Sequence, residues 1–151
     1  MTEQTLKMRI TEDMKSAMRS KDKDRLTTVR MILAAIKQVE VDERVEVSDE
    51  RVLVILDKMS KQRRDAATQY RDAGRDDLAD REEAELVIIQ DFLPAALSDD
   101  ELGKLIREAI DQTGAASPND MGKVMAVLKP QVQGRADMGQ VSRKVRENLA
   151  S

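Results

Sequence analysis

Apolar residues recur three or four positions apart along almost the whole chain, and this spacing constrains the fold more than any other feature. The period matches the α-helix, because residues three and four apart lie on one helix face. Alternating apolar and polar runs, which mark half-buried strands, are missing, and aromatic residues make up only 1% of the 151 residues. We therefore predict an all-α protein.

Four helices are predicted in the first part of the chain. Asp22 and Ser48 are suited to cap the second and third of them, because their side-chain oxygens can accept a backbone N–H. Gly74 is suited to end the third, since glycine readily adopts the left-handed conformation found at helix C-termini. The expected helices span about residues 5–19, 23–43, 49–73 and 76–92.

A domain boundary is predicted where Pro94 interrupts the helical pattern and the pair Ser98 and Glu101 starts it again. Proline disfavours helix at the residue before it. A serine followed three residues later by glutamate forms a capping box. We therefore expect a four-helix N-terminal domain over residues 1–94 and a small three-helix C-terminal domain over residues 95–151.

Glycine and proline punctuate the expected C-terminal domain. Its first helix is predicted over about residues 99–113 and ends at Gly114. Ser117 and Pro118 start the second helix. Pro130 is expected to stop that helix, because proline has no N–H to continue the backbone hydrogen bonding. A glycine turn then leads into the third helix.

Charged residues interrupt two of the predicted apolar stripes. Arg63 falls in line with the core residues of the third helix, and Glu82 and Glu85 fall in line with those of the fourth. A partly buried arginine beside one of these carboxylates satisfies both charges. The alternative, a carboxylate pair for acid/base catalysis or metal binding, needs a carboxylate without a neighbouring cation. We predict a structural ion pair between Arg63 and Glu82 or Glu85.

The composition excludes several kinds of chemistry. With no cysteine and no histidine, the chain lacks thiol nucleophiles, disulfides and the usual zinc ligands. A phosphate loop is excluded as well, since seven residues rather than four separate Gly114 from Gly122, and Val124 stands where the loop needs a hydroxyl. We therefore predict no catalytic residue, no metal site and no cofactor.

Apolar runs are short everywhere in the chain. The first thirty residues contain none of the length of a signal peptide, and nowhere do about 18 apolar residues follow one another. The sequence therefore gives no sign of secretion or of insertion into a membrane. On this ground we expect a cytoplasmic protein.

Positive charge is concentrated towards the end of the chain. The whole chain has a net charge of −3, whereas residues 116–151 have a net charge of +3, which suits contacts with phosphates. Glycine inside a helix is unfavourable, and a reason to keep one is close approach of another backbone, from a packed helix or an RNA strand. The candidate RNA-binding residues are Gly122, Lys123, Lys129, Gly134 and Arg135.

Three stretches resemble the GatB/YqeY family, and together they extend the resemblance over essentially the full chain. They are similar to the opening helical pair, the central signature and the C-terminal signature of that family, and they read EDMKSAMRSKDKDRLTTVRMILAAIK, KQRRDAATQYRDAGRDDLADREEAELVIIQDFLPAALSDDEL and ASPNDMGKVMAVLKPQVQGRADMGQV. One departure is Ala66, where members of the family commonly carry serine. A change of this size should matter little to the fold.

The resemblance implies an all-helical protein with a relationship to RNA. A similar region forms the tRNA-engaging tail of the B subunit of a glutamine-dependent amidotransferase, and the catalytic portion of that subunit has no counterpart here. The resemblance thus associates the chain with carbon–nitrogen ligase activity that uses glutamine as amido-N-donor. The absence of cysteine and of an ATP loop argues against independent catalysis.

Three functions follow as hypotheses. The first is a non-catalytic tRNA-associated module that resembles the tail of the amidotransferase B subunit. The second is an accessory part of a glutamine-dependent amidotransferase, with amidotransferase subunits as partners. The third is a protein–protein interaction module that presents Met121 and Met125 to an apolar partner.

Overall fold

The structure is a computed structural model that describes residues 4–150. Within that range it contains seven α-helices, one short 3₁₀ helix over Pro118–Asp120 and no strand, which confirms the prediction of an all-α protein. The α-helices are α1 (Leu6–Ser20), α2 (Lys23–Glu43), α3 (Asp49–Asp72), α4 (Asp76–Gln90), α5 (Asp99–Thr113), α6 (Met121–Val132) and α7 (Met138–Ala150).

Side-chain caps explain where four of the helices begin. Thr5, Asp22 and Ser48 each accept a hydrogen bond from a backbone N–H in the first turn of α1, α2 and α3. At the start of α5, Ser98 accepts from the N–H of Glu101, and the Glu101 carboxylate accepts in return from the N–H of Ser98. These bonds satisfy N–H groups that have no partner inside the helix.

The chain packs as two compact units, one ending at Leu93 and the other beginning at Pro94. The first unit contains α1 to α4, and α3 and α4 form its most closely packed pair. Its core is apolar and almost completely shielded from solvent, and burial of these side chains supplies the main driving force for packing the four helices. The most deeply buried side chains are those of Ile10, Val29, Ile32, Ile36, Val52, Leu56 and Ile89.

The second unit contains α5, α6 and α7 around a core of its own. Each helix contributes apolar residues at intervals of three or four, as expected for an amphipathic helix that packs on one side. The core residues are Leu102, Ile106, Ala109, Val124, Leu128, Val132, Val141, Val145 and Leu149. Gly114 ends α5 in the left-handed conformation, with φ at 68°.

Pro130 does not stop α6, so the expected helix end was wrong. The helix continues to Val132, with Pro130 inside it. Proline removes one backbone hydrogen bond, but Val132 is completely buried in the core of the second unit, and this burial favours the extra turn. The start of the helix also differs, because the Ser117 side chain makes no cap and Asp120 instead accepts a hydrogen bond from the N–H of Ala116 at 3.0 Å.

Candidate nucleic-acid interface

Helix α6 has one buried face and one exposed face. Its buried face inserts three side chains with no solvent exposure into the core of the second unit, namely Val124, Leu128 and Val132. Since successive residues turn by about 100°, the opposite side is occupied by residues four positions apart. These are the small and exposed Gly122, Ala126 and Pro130.

Two lysines flank this small-residue side of α6. Lys123 and Lys129 lie about 60° around the helix axis from Ala126, on opposite sides, and about 9 Å apart along the axis. Both are exposed, and the side chain of Lys123 is 72% exposed. We call the surface formed by Gly122, Lys123, Ala126, Lys129 and Pro130 the α6 face.

The two glycines of the predicted site serve different purposes. A Cβ added to Gly122 would meet nothing within 4 Å, so no packed helix of the described chain explains this glycine. Gly134, in contrast, has φ at 77°, a left-handed conformation that favours glycine. Gly134 is therefore explained by the turn between α6 and α7, whereas Gly122 leaves open space on the α6 face.

The ammonium of Lys123 has an acidic neighbour. Its Nζ lies 3.8 Å from Oδ1 of Asp120, one turn earlier. The hydrogen bond that Asp120 accepts from the N–H of Ala116 is the main reason why the pKa of this carboxyl is lowered, and Lys123 adds to the effect. The ion pair is long and its lysine is exposed, so it is weak. The ammonium of Lys123 can therefore leave Asp120 and bind a phosphate instead. In the range 4–150, Lys129 takes part in no ion pair.

Arg135 lies beyond the end of α6 and is engaged within its own unit. Its Nε donates to the carbonyl oxygen of Ala95 at 3.0 Å, and its own carbonyl oxygen accepts from the N–H of Leu97 at 2.9 Å. The guanidinium therefore fastens the segment before α5 to the turn after α6. Arg135 lies outside helix α6, whereas Lys123 and Lys129 lie on it.

In the first unit, Arg63 lies beside Glu85. The Nε of Arg63 is 3.4 Å from a carboxylate oxygen of Glu85, and the two side chains are 11% and 23% exposed. Among the described residues Glu82 makes no ion pair with Arg63. Both Nε of Arg63 and the hydroxyl of Ser60, one turn away on α3, are buried without a hydrogen-bond partner.

An open groove of about 620 Å³ lies between α2 and α4 and is lined in part by carboxylates. Four carboxylates line it. Three of them pair with an arginine of the same unit, namely Asp77 with Arg75, Asp80 with Arg71 and Glu85 with Arg63, and the fourth belongs to the exposed Asp24 in the first turn of α2. The three carboxylates that face an arginine are poor general bases. The part of the chain that the structure describes contains no cluster of acidic residues arranged to hold a metal ion.

A family model places the chain among known proteins. The model for YqeY-like proteins matches residues 7–149. The chain belongs to the YqeY-like family. This agrees with the resemblance seen in the sequence, and it extends over both units.

Several fungal relatives share the YqeY-like sequence, and three of them carry the same name, altered inheritance of mitochondria protein 41, mitochondrial. The protein of Pyrenophora tritici-repentis is 32% identical over 92% of this chain and 78% of its own length. Those of Eremothecium gossypii and Clavispora lusitaniae are 39% and 36% identical. The match to the Eremothecium gossypii protein covers 56% of this chain and 46% of that protein. The match to the Clavispora lusitaniae protein covers 71% of this chain and 64% of that protein.

The names of these relatives contradict the expected cytoplasmic location. All three are named as mitochondrial proteins, so the prediction of a cytoplasmic protein was wrong. The prediction relied on the lack of an apolar signal, but mitochondrial targeting segments are amphipathic and rich in arginine, so this criterion does not detect them. Among the helices that the structure describes, none is long and apolar enough to cross a membrane.

Proposed function

We propose that this YqeY-like protein is a non-catalytic RNA-binding module whose second unit docks on the sugar–phosphate surface of tRNA. The α6 face is the observation that carries the proposal. Its small residues let a phosphate backbone approach the helix closely, and its two lysines lie on either side of the line of approach. Lysine contributes to such a surface as a point charge that neutralises phosphate.

The proposal assigns the five candidate residues to two roles. Lys123 and Lys129 contact phosphates, and Gly122 provides the space for the backbone to approach. Gly134 and Arg135 act indirectly, because they shape and hold the turn that follows α6. Removing Arg135 should therefore affect RNA binding through the fold of the second unit rather than through a lost contact.

We propose further that the two units are separate domains, a four-helix domain and a three-helix domain. Each has an apolar core of its own, and the polypeptide passes once from one to the other. A three-helix domain of this size can carry the RNA contact without any catalytic group. In this proposal any carbon–nitrogen ligase chemistry belongs to amidotransferase subunits that act as partners.

The role of a protein-interaction module is not favoured by the methionines. Met121 and Met125 are only partly exposed, and both pack against the core of the second unit. They fill space between helices, which is the commonest use of methionine in a protein interior. The side of α6 that faces solvent presents small residues and two lysines instead.

Binding of fluorescently labelled total tRNA to the full chain tests the proposal. The variant Lys123→Gln/Lys129→Gln should weaken binding about tenfold, which corresponds to the loss of two exposed phosphate contacts. Its matched control is Lys58→Gln/Lys61→Gln, which removes two exposed lysines of α3 and changes the net charge equally. The proposal fails if tRNA does not bind, or if both variants weaken binding to the same extent.

A further inference from the structure

The second unit contains no aromatic side chain on which a nucleobase could stack. The chain has one tyrosine and one phenylalanine and no tryptophan or histidine, and both aromatic residues, Tyr70 and Phe92, precede Pro94. Proteins that hold single-stranded nucleic acid stack its bases on aromatic rings or on the plane of arginine. The two cations of the α6 face are lysines, and an ammonium group has no planar surface on which a base could stack. This surface is therefore suited to a backbone and unsuited to splayed bases.

Pro130 adds a hydrogen-bond acceptor to the middle of the α6 face. In an α-helix the carbonyl oxygen of residue 126 accepts from the N–H of residue 130. Proline has no N–H, so the carbonyl oxygen of Ala126 loses this donor. Ala126 is exposed, and Gly122 and Pro130 on either side of it are small. A hydroxyl group that comes close to the helix can donate to this oxygen.

We infer that the α6 face binds the minor groove of double-helical RNA, and this inference rests on the proposed function. The minor groove of an RNA duplex is wide and shallow, and it exposes ribose 2′-hydroxyls between two lines of phosphates. The small residues of the face lie against the groove, and Lys123 and Lys129 reach the phosphates on its two sides. The carbonyl oxygen of Ala126 accepts a hydrogen bond from a 2′-hydroxyl.

Charge complementarity supports this partner over an apolar one. Residues 116–151 carry a net charge of +3 although the whole chain is negative, and the α6 face contains two lysines and no acidic side chain. A contact made to backbone and 2′-hydroxyls reads the shape of the duplex and carries no information about base sequence. The surface therefore selects RNA over DNA and duplex over single strand, with little preference for sequence.

The test compares three labelled probes of equal length and related sequence, an RNA duplex, a single-stranded RNA and a DNA duplex, with the full chain. The RNA duplex should bind about tenfold more tightly than either of the others, the equivalent of one or two hydrogen bonds. If tRNA binds but single-stranded RNA or the DNA duplex binds as well as the RNA duplex, the inference is wrong and the proposed function stands. If no probe binds and tRNA does not bind either, the proposed function itself fails.

Two variants locate the contact. Pro130→Ala returns an N–H to the carbonyl of Ala126, and it should reduce the preference for RNA over DNA while the helix content measured by circular dichroism is kept. Ala126→Leu fills the space on the α6 face without changing charge, and it should reduce duplex binding about tenfold. Its control is Ala34→Leu, at an exposed position of α2. An unchanged RNA preference in Pro130→Ala, or equal effects of the two leucine variants, overturns the assignment.

Discussion

The Nε of Arg135 donates a hydrogen bond to the carbonyl oxygen of Ala95 at 3.0 Å, across 40 positions of sequence. In the opposite direction, the carbonyl oxygen of Arg135 accepts from the N–H of Leu97 at 2.9 Å. These two bonds join the segment before α5 to the turn between α6 and α7. Arg135, a candidate phosphate-binding residue in the sequence, thus also links two segments of the second unit.

Replacing Arg135 should lower stability. Arg135→Ala removes a hydrogen bond from a charged donor and should reduce the free energy of unfolding by about 1 to 2 kcal/mol, as measured by urea denaturation. Arg135→Lys keeps the charge but not the planar Nε–H, so it should recover only part of the loss. Full recovery with lysine, or no loss with alanine, would show that the bond to Ala95 does not hold the turn.

The pair Arg63 and Glu85 gives a second prediction about stability. Arg63→Ala leaves the carboxylate of Glu85, which is only 23% exposed, without its cation, and should cost about 1 to 3 kcal/mol. Combining Arg63→Met with Glu85→Gln should cost less than the sum of the single changes, because neither group is left as an unpaired charge. Glu82→Gln is the control and should change stability little. A cost for Glu82→Gln as large as that for Glu85→Gln would contradict the observed pairing.

Replacing Gly122 and Gly134 by alanine should change the stability of the protein in opposite directions. Gly122→Ala meets no steric obstacle and should stabilise the protein by up to about 1 kcal/mol through helix propensity, while it weakens RNA binding by adding bulk to the α6 face. Gly134→Ala forces a side chain into a conformation with φ at 77° and should destabilise by about 1 kcal/mol. Thermal unfolding and tRNA binding of both variants provide the check. Stabilisation by both variants would refute the distinction.

Much of this fold could be predicted from local sequence, but not the non-local contacts. The bounds of α2 and α5 follow from residues inside or next to each helix, such as Asp22, Ser98 and Gly114. The extension of α6 past Pro130 depends on burial of Val132, and the role of Arg135 depends on Ala95, which is distant in sequence. No local pattern carries that information.

The candidate interface could be predicted only in part. Helical spacing places the small residues Ala126 and Pro130 on the same side of α6 as the two lysines, but only if the helix continues past Pro130. Glu82 and Glu85 lie on the same stripe of α4, so their spacing alone could not tell which one meets Arg63. Which glutamate pairs with Arg63 depends on how far α4 is displaced along α3. That displacement is set by the packing of the two helices and not by the sequence of either one alone.

Acid should weaken the protein through two carboxyl groups of the second unit. The pKa of Glu101 is lowered mainly by the hydrogen bond from the N–H of Ser98, and that of Asp120 by the hydrogen bond from the N–H of Ala116. A pKa lowered by folding means that the unfolded chain binds protons more readily. The stabilisation is therefore complete above the ordinary pKa values of 4.5 and 3.8 and is lost as the pH falls through the lower values of the folded state.

Urea denaturation at a series of pH values measures this loss. Glu101→Gln and Asp120→Asn should each lower stability near neutral pH and flatten its decline in acid. Glu108→Gln, at an exposed position on the same helix as Glu101, serves as the control and should leave the decline unchanged. A decline that is equally steep in all three variants would exclude these two carboxyl groups as its cause.

The salt dependence of tRNA binding tests the central claim most directly. The logarithm of the binding constant should fall linearly with the logarithm of the salt concentration, because each neutralised phosphate releases counterions. In Lys123→Gln/Lys129→Gln the magnitude of this slope should decrease by about 1.5 to 2, the contribution of two phosphate contacts. The control Lys58→Gln/Lys61→Gln should keep the slope of the unchanged protein. A slope that is the same in all three proteins would contradict the assignment of RNA binding to the α6 face.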